Sequence, residues 1–197
     1  MVAYSDLLPS WARAYIDLES AATLIRTYEG QLVPGLLQTE DYLRAVIASA
    51  HLGEAPEDAE RRVALRMARQ ALLERTDGFR LWAVVDEAAL RRPIGGAKVM
   101  HTQLQRLIEA AALPTVTLQV LPFRASAHAA MMGGFSILRF SEPDLPDVVY
   151  VEQLTGALYL DNQDDMARYV EVMNRLGVES ETPEATPKML NRILRET

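Results

Sequence analysis

One β-α-β unit in the middle of the chain constrains the fold more than any other part of the sequence. Residues 79–85 and 115–121 have the pattern of strands, and an amphipathic helix over residues 97–112 lies between them. Such a helical connection makes the two strands parallel, with a right-handed crossover. Three further predicted strands follow too closely for such crossovers and are expected to be antiparallel: residues 134–140, 147–154 and 156–160. The pattern therefore predicts an α+β fold with a mixed sheet.

Predicted helices lie on both sides of this strand region in the sequence. The first opens at Pro9 and extends to about Ile25, and the second begins at residue 40 behind Thr39, a good N-cap. A third covers residues 56–75. Its apolar half carries Val63, Ala64, Met67, Ala68, Ala71 and Leu72, and the opposite half carries Arg62, Arg66 and Arg69. Two more follow the last strand, over residues 161–176 and 181–195. We expect N-terminal helices packed on the mixed sheet, followed by C-terminal helices.

Composition places the chain among globular proteins and excludes several functions. Its 197 residues are 49% hydrophobic and 24% charged, which suits a single α+β domain over residues 1–197. There is no cysteine, so disulfides and thiolate chemistry are excluded. A net charge of -7 disfavours nucleic-acid binding by this chain alone. The uncharged stretches are too short to span a membrane, and we expect a cytoplasmic protein.

Motifs with a known chemical mechanism are missing from the sequence. It has no His-x-x-x-His pair, no Walker loop and no Gly-x-Ser-x-Gly turn, so we expect neither a metal nor a cofactor. The pair Asp86-Glu87 follows a predicted strand, where a carboxylate is either a cap for the next helical turn or a catalytic group.

The segment 123–134 is unusually apolar for a loop. It contains Phe123, Met131 and Met132, and Phe135 follows directly. Methionine side chains adapt to irregular apolar surfaces. Two interpretations remain open: the loop folds over the core, or it forms a lid over a pocket for an apolar ligand.

Several phrases, in order along the chain, resemble a known family. The set is residues 18–29, Val33-Pro34-Gly35-Leu36-Leu37-Gln38-Thr39, residues 42–45, 66–70, 86–92, 100–104, 120–122 and 134–135, Val148-Val149-Tyr150-Val151-Glu152, Gly156 and Tyr159. It is similar to the C-terminal domain of unknown function of antitoxin-like XRE helix-turn-helix regulators of bacteria. The resemblance covers residues 7–176, and residues 177–197 form a divergent helical tail. In this family a helix-turn-helix part precedes the matching segment, and we expect this chain to lack it.

The resemblance implies an effector domain that binds a small molecule or a protein. A stand-alone copy invites an alternative, a cofactor-independent enzyme of the cyclase or isomerase type in small-metabolite biosynthesis. Such an enzyme holds a reactive conformer of its substrate and leaves no catalytic motif. The sequence leaves open whether the chain is an enzyme.

We expect the ligand site to be an apolar pocket between the sheet and the N-terminal helices, roofed by the loop 123–134. Its ligand-binding residues are predicted to be Trp82, Phe123, Arg124, Met131, Met132, Phe135 and Tyr150. If the chain is an enzyme, His128 is the expected general acid or base because its reference pKa lies nearest neutrality, and Glu152 is the second candidate.

The expected partners are an apolar small molecule, a small protein and a second copy of the chain. The helix over residues 57–75 carries Arg61, Arg62, Arg66 and Arg69. Acidic residues are concentrated further along: Glu142, Asp144, Asp147, Glu152, Asp161, Asp164 and Asp165. Faces of opposite charge steer a homodimer together. The alternative is two independently solvated faces.

Overall fold

A six-stranded mixed sheet organises the chain in a computed structural model that describes residues 7–125, 127–142 and 144–197. Its strands are β1 (Leu24–Glu29), β2 (Arg80–Asp86), β3 (Val116–Leu121), β4 (Phe135–Arg139), β5 (Val148–Gln153) and β6 (Gly156–Leu160). Their order across the sheet is β3-β2-β1-β4-β5-β6. The three strands β1, β2 and β3 are parallel neighbours, and the pairs β1–β4, β4–β5 and β5–β6 are antiparallel.

Seven α-helices surround the sheet within the described residues. They are α1 (Ser10–Ala21), α2 (Glu40–Ala50), α3 (Pro56–Arg69), α4 (Glu87–Arg91), α5 (Ala97–Ala110), α6 (Gln163–Glu179) and α7 (Thr186–Glu196). The Thr39 hydroxyl accepts a hydrogen bond from the Tyr42 N–H and caps α2, as the sequence predicts. The acid pair also forms a cap, since Asp86 accepts from the Ala88 N–H at 2.8 Å at the start of α4. The α+β prediction is confirmed.

Strand β1 corrects the predicted first helix. Helix α1 ends at Ala21, and residues 24–29 form a central strand instead of a helix end. Its alternation is hard to recognise in the sequence because three of its six positions are polar or charged: Arg26, Thr27 and Glu29. The neighbouring strands β2 and β4 supply the hydrogen bonds that hold it in the sheet.

Both faces of the sheet are covered by helices. On one face, Ile25, Leu81 and Val120 belong to a core with residues of α2, α5 and α7, and we call this the helix-layer face. On the other, Val84 and Phe135 pack with α6, and we call this the α6 face. Side chains alternate between these faces along each strand, so each candidate residue on a strand is assigned to one side.

The orientation of α3 also differs from expectation. The predicted apolar half includes Ala64 and Ala68, yet both are exposed, whereas the arginines of the opposite half are partly buried: Arg62, Arg66 and Arg69. The reason is tertiary, because Arg62 pairs with Glu54 and Arg69 with Glu19. Arg62 and Arg69 are therefore neutralised within the chain and are not free charges for a partner, and the homodimer stays a prediction.

The C-terminal segment forms a regular helix. Pro187 lies in the first turn of α7, where its missing N–H costs nothing, so it starts the helix and does not weaken it. Of the helices in the described ranges, none combines the length and the apolar character needed to cross a membrane.

Candidate functional site

The loop 123–134 lies on the α6 face, apart from Ser126, which is outside the described residues. Ala130 packs in the same core as Met173 and Leu176 of α6. The prediction that this loop roofs a pocket beside the N-terminal helices is therefore wrong. The sheet itself separates the loop from those helices, because a side chain of a strand reaches only one of its faces.

His128 is enclosed by its neighbours on this face. Its side chain is 10% exposed, and its Nε2 lies 3.4 Å from the Tyr28 hydroxyl and 3.7 Å from Asp86 Oδ2. Its Nδ1 accepts from the Ala130 N–H at 3.3 Å, so a neutral ring carries its proton on Nε2. Burial, with the nearby Asp86 carboxylate, raises the pKa of Tyr28 well above its usual range. The ring fastens the loop to the strand ends, and its role as an acid or base stays a prediction.

The other predicted residues of the loop side are scattered. Phe123, Met131 and Met132 are exposed, Met132 at 99%. Arg124 is exposed and pairs with Glu181 at 2.6 Å.

The two predicted residues on strands of this side have partners within the fold. Phe135 is buried in edge-to-face contact with Tyr169, and the Trp82 indole N–H donates to Gln119 at 2.8 Å. A shallow groove of about 210 Å³ beside the loop includes Met132 and Phe135 in its lining. Trp82, Phe123 and Arg124 do not line it.

Tyr150 and Glu152 point to the helix-layer face. The Tyr150 hydroxyl donates to Glu152 Oε2 at 3.0 Å, and its ring lies 4.2 Å from that of Tyr15 in α1. Burial, followed by the Glu152 carboxylate, raises the pKa of Tyr150 far above its ordinary value. The structure thus brings these two predicted residues together and keeps them on the far side of the sheet from His128.

A second carboxylate, Glu29, lies near Glu152 across a glycine. Tyr28 of β1 pairs with Phe135 of β4, and Ser136 of β4 pairs with Tyr150 of β5. Continued to the strand ends, these registers place Gly134 between Glu29 and Glu152, whose backbones are then about 10 Å apart. A side chain at Gly134 would put its Cβ 2.9 Å from the Tyr28 carbonyl oxygen and 3.1 Å from Glu29 Oε2. Glycine at position 134 therefore lets the Glu29 carboxylate and the Tyr28 carbonyl lie against the backbone, where a larger residue would clash.

Arginines of α3 complete the site. The Glu152 carboxylate lies close enough to Arg66 and Arg69 to favour the charged form of each guanidinium, although burial and the charge of Arg69 lower the pKa of Arg66 overall. Arg69 is committed to Glu19, whose carboxylate receives two hydrogen bonds at 2.6 and 2.7 Å and is 2% exposed. We call the four groups Glu29, Arg66, Tyr150 and Glu152 the Glu152 cluster. Glu152 is exposed, so solvent and small molecules reach the cluster.

Glu29 has unusual acid–base properties. Burial, reinforced by the negative charge of Glu152, raises its pKa from 4.5 to about 7. A carboxyl group that titrates near neutrality can donate or accept a proton under physiological conditions. The cluster therefore combines a proton-transferring group, a guanidinium and a phenol on one face of the sheet.

We expect Glu29→Gln to stabilise the protein at pH 8 but not at pH 4. The folded protein retains the Glu29 proton to higher pH than the unfolded chain, so this group lowers stability as pH rises from about 4.5 to about 7. Glutamine removes the charge and should raise the free energy of unfolding by about 3 kcal/mol at pH 8. Urea denaturation at pH 4, 6 and 8 measures this. The exposed Glu74→Gln serves as control, and an equal gain at all three pH values would contradict the assignment.

Two members of the cluster, Tyr150 and Glu152, were predicted from the sequence, and the other two were not. Glu29 lies in a strand that the sequence did not predict, and Arg66 was expected on a charged face that either steers a homodimer or is solvated. The alternation Ile25-x-Thr27-x-Glu29, followed by Gly30, is a pattern that could have indicated a strand ending on a carboxylate. Among the residues that the structure describes, no three histidine or acidic side chains come together as a metal site.

Comparisons with known proteins identify a family but no characterised relative. No curated protein and no solved structure matches the chain. The family model described as "Domain of unknown function (DUF5753)" matches residues 12–192. The expected resemblance to a domain of unknown function agrees with this match, and the link to XRE regulators stays a prediction. Because the match covers most of its length, the chain belongs to the DUF5753 family, a family of domains of unknown function.

Proposed function

We propose that the chain is a small-molecule effector-binding domain and that its ligand binds at the Glu152 cluster. One observation carries this proposal: the strand ends place two carboxylates on either side of Gly134, near a guanidinium without an ion-pair partner among the described residues. Ligands of α/β sheets bind at the carboxyl ends of parallel strands, and Glu29 lies at the carboxyl end of β1, which is parallel to β2. On the resemblance to XRE regulators, the bound ligand would control a DNA-binding partner or domain.

The composition of the cluster favours a polar ligand over the apolar one that the sequence suggested. Buried or partly buried charges are expensive unless they are paired, and a complementary ligand lowers that cost. The apolar candidates on the α6 face have a less suitable geometry, because Met131 and Met132 are exposed and the groove beside them is shallow. The Glu152 cluster is therefore a better candidate for the ligand site than the groove on the α6 face, because its polar side chains lie together.

The proposal is tested by equilibrium dialysis against a library of polar metabolites, followed by mass spectrometry of the retained compounds. We expect at least one compound to be retained by the wild-type protein. Its retention should fall at least tenfold in Glu152→Gln, because this change preserves the size of the side chain and removes the charge that accepts from the hydrogen-bond donor groups of the ligand. Glu171→Gln, an exposed change on α6, is the matched control. Retention that is equal in both variants would place the site elsewhere, and no retention by the wild type would refute ligand binding.

A second candidate function, a cofactor-independent cyclase or isomerase, is favoured by the pKa of Glu29 near 7. In that case Glu29 moves the proton, and Tyr150 with Arg66 orients the substrate. The same dialysis distinguishes the two functions. An isomerase returns a compound of unchanged mass and altered retention time, and this conversion stops in Glu29→Gln. An effector domain returns its ligand unaltered.

A further inference from the structure

Helix α3 directs three arginines inward, and only the outer two are neutralised. Arg62 Nε lies 2.7 Å from Glu54 Oε1, and Arg69 holds Glu19 with two hydrogen bonds. Arg66 lies between them, one helical turn from each, on the same side of α3. Across residues 7–125, 127–142 and 144–197 it makes no hydrogen bond and no ion pair within 4.0 Å.

This arrangement is electrostatically unfavourable for Arg66. Its side chain is partly buried, and burial together with the positive charge of Arg69 lowers the pKa of its guanidinium. Glu152 lies near enough to act on it through space but is hydrogen-bonded by Tyr150 instead. A partly buried, unpaired guanidinium has a planar set of donors that matches an anionic oxygen group.

We propose that Arg66 binds the carboxylate of the ligand. This inference rests on the proposed function, since it names the chemical group that the effector site recognises. A carboxylate fits better than a phosphate, because one unpaired guanidinium balances a single negative charge. The nearby Glu29 and Glu152 would repel a dianion more strongly.

The test uses the full chain labelled with ¹⁵N and follows the Nε–H signals of its arginines. Acetate, benzoate and inorganic phosphate are titrated separately at constant ionic strength, with chloride as the balancing anion. The Arg66 signal is assigned by its loss in Arg66→Lys. Arg66→Gln is the binding variant, and Arg13→Gln, an exposed change on α1, is the matched control. Removing an unpaired charge should not unfold the chain, and circular dichroism checks this.

We expect acetate and benzoate to shift the Arg66 signal saturably. We expect apparent affinity for benzoate, followed through backbone amide shifts near Tyr150, to fall at least tenfold in Arg66→Gln and to remain unchanged in Arg13→Gln. Saturation by phosphate alone would overturn the carboxylate assignment. If all three anions instead shift the Arg66 signal linearly with anion concentration, as they shift the signals of exposed arginines, the proposed site at Arg66 is refuted.

The two proposals fail separately. A retained metabolite whose binding is insensitive to Arg66→Gln would refute the carboxylate contact and leave the effector function standing. Saturable carboxylate binding at Arg66, with no metabolite retained by the wild-type protein, would refute the effector function and leave the anion site standing.

Discussion

Replacing Arg69 with methionine is expected to lower the free energy of unfolding by about 3–5 kcal/mol. The change leaves the Glu19 carboxylate, which is 2% exposed, without the two hydrogen bonds and the positive charge that compensate its burial. It also removes the guanidinium that lies 5.6 Å from the centre of the Tyr15 ring. Urea denaturation monitored by circular dichroism at pH 7 measures the loss.

A double variant separates the loss of the ion pair from the loss of packing. Glu19→Met combined with Arg69→Met replaces both charges by apolar side chains of similar length, so no uncompensated charge remains, and most of the stability should return. Arg44→Met is the surface control. Arg44 is paired with Glu40, Asp41 and Glu60, all exposed, so its removal should cause only a small loss of stability. A loss in Arg69→Met no greater than this would contradict the assigned importance of the buried pair.

Replacing Gln103 with leucine is expected to destabilise the fold by about 3 kcal/mol. The Gln103 side chain is fully buried on α5, where its Oε1 accepts from the Thr39 N–H at 2.7 Å and its Nε2 donates to the Leu37 carbonyl at 2.8 Å. Leucine has similar volume but leaves both backbone groups without these partners in a buried place. The turn 34–39, and with it the start of α2, loses its attachment to α5.

The control for Gln103 lies on the same helix. Gln105 is exposed, and Gln105→Leu makes the same chemical change without removing a buried hydrogen bond. It should alter the free energy of unfolding by less than about 0.5 kcal/mol. Thermal or urea denaturation of the two variants gives the comparison, and similar losses in both would show that the attachment of the turn contributes little.

Local periodicity was sufficient for several parts of the fold. Phe79, Leu81, Ala83 and Val85 alternate as a buried strand should, and all four lie in the core. The stripe Met100, Leu104 and Leu107 of α5 is buried as predicted. The order β2-α5-β3 was enough to predict that β2 and β3 are parallel, because a helix that connects two strands of one sheet forms a right-handed crossover.

The site was predictable only in part. Tyr150 and Glu152 were singled out and lie together, but they were grouped with His128 and Trp82, which face the other side of the sheet. The grouping was wrong because the missing central strand β1 left the relative positions of the predicted strands undefined. Once β1 is placed, Glu29 comes beside Gly134, and the cluster follows from strand register.

The sequence by itself determined where most helices and strands lie, their caps and the family, because these depend on the spacing of side chains along their own backbone. Only the tertiary structure decided which half of α3 faces inward and which charges are neutralised. The partners concerned are far apart in the chain: Glu19 and Arg69 are separated by 50 positions, and Leu37 and Gln103 by 66. In the sequence, a helical stripe of arginines has the pattern of a solvated face. In the structure, a buried carboxylate from another element pairs with one of these arginines and draws the stripe inward. The physical reason is that pairing, unlike periodicity, is a property of contacts between elements.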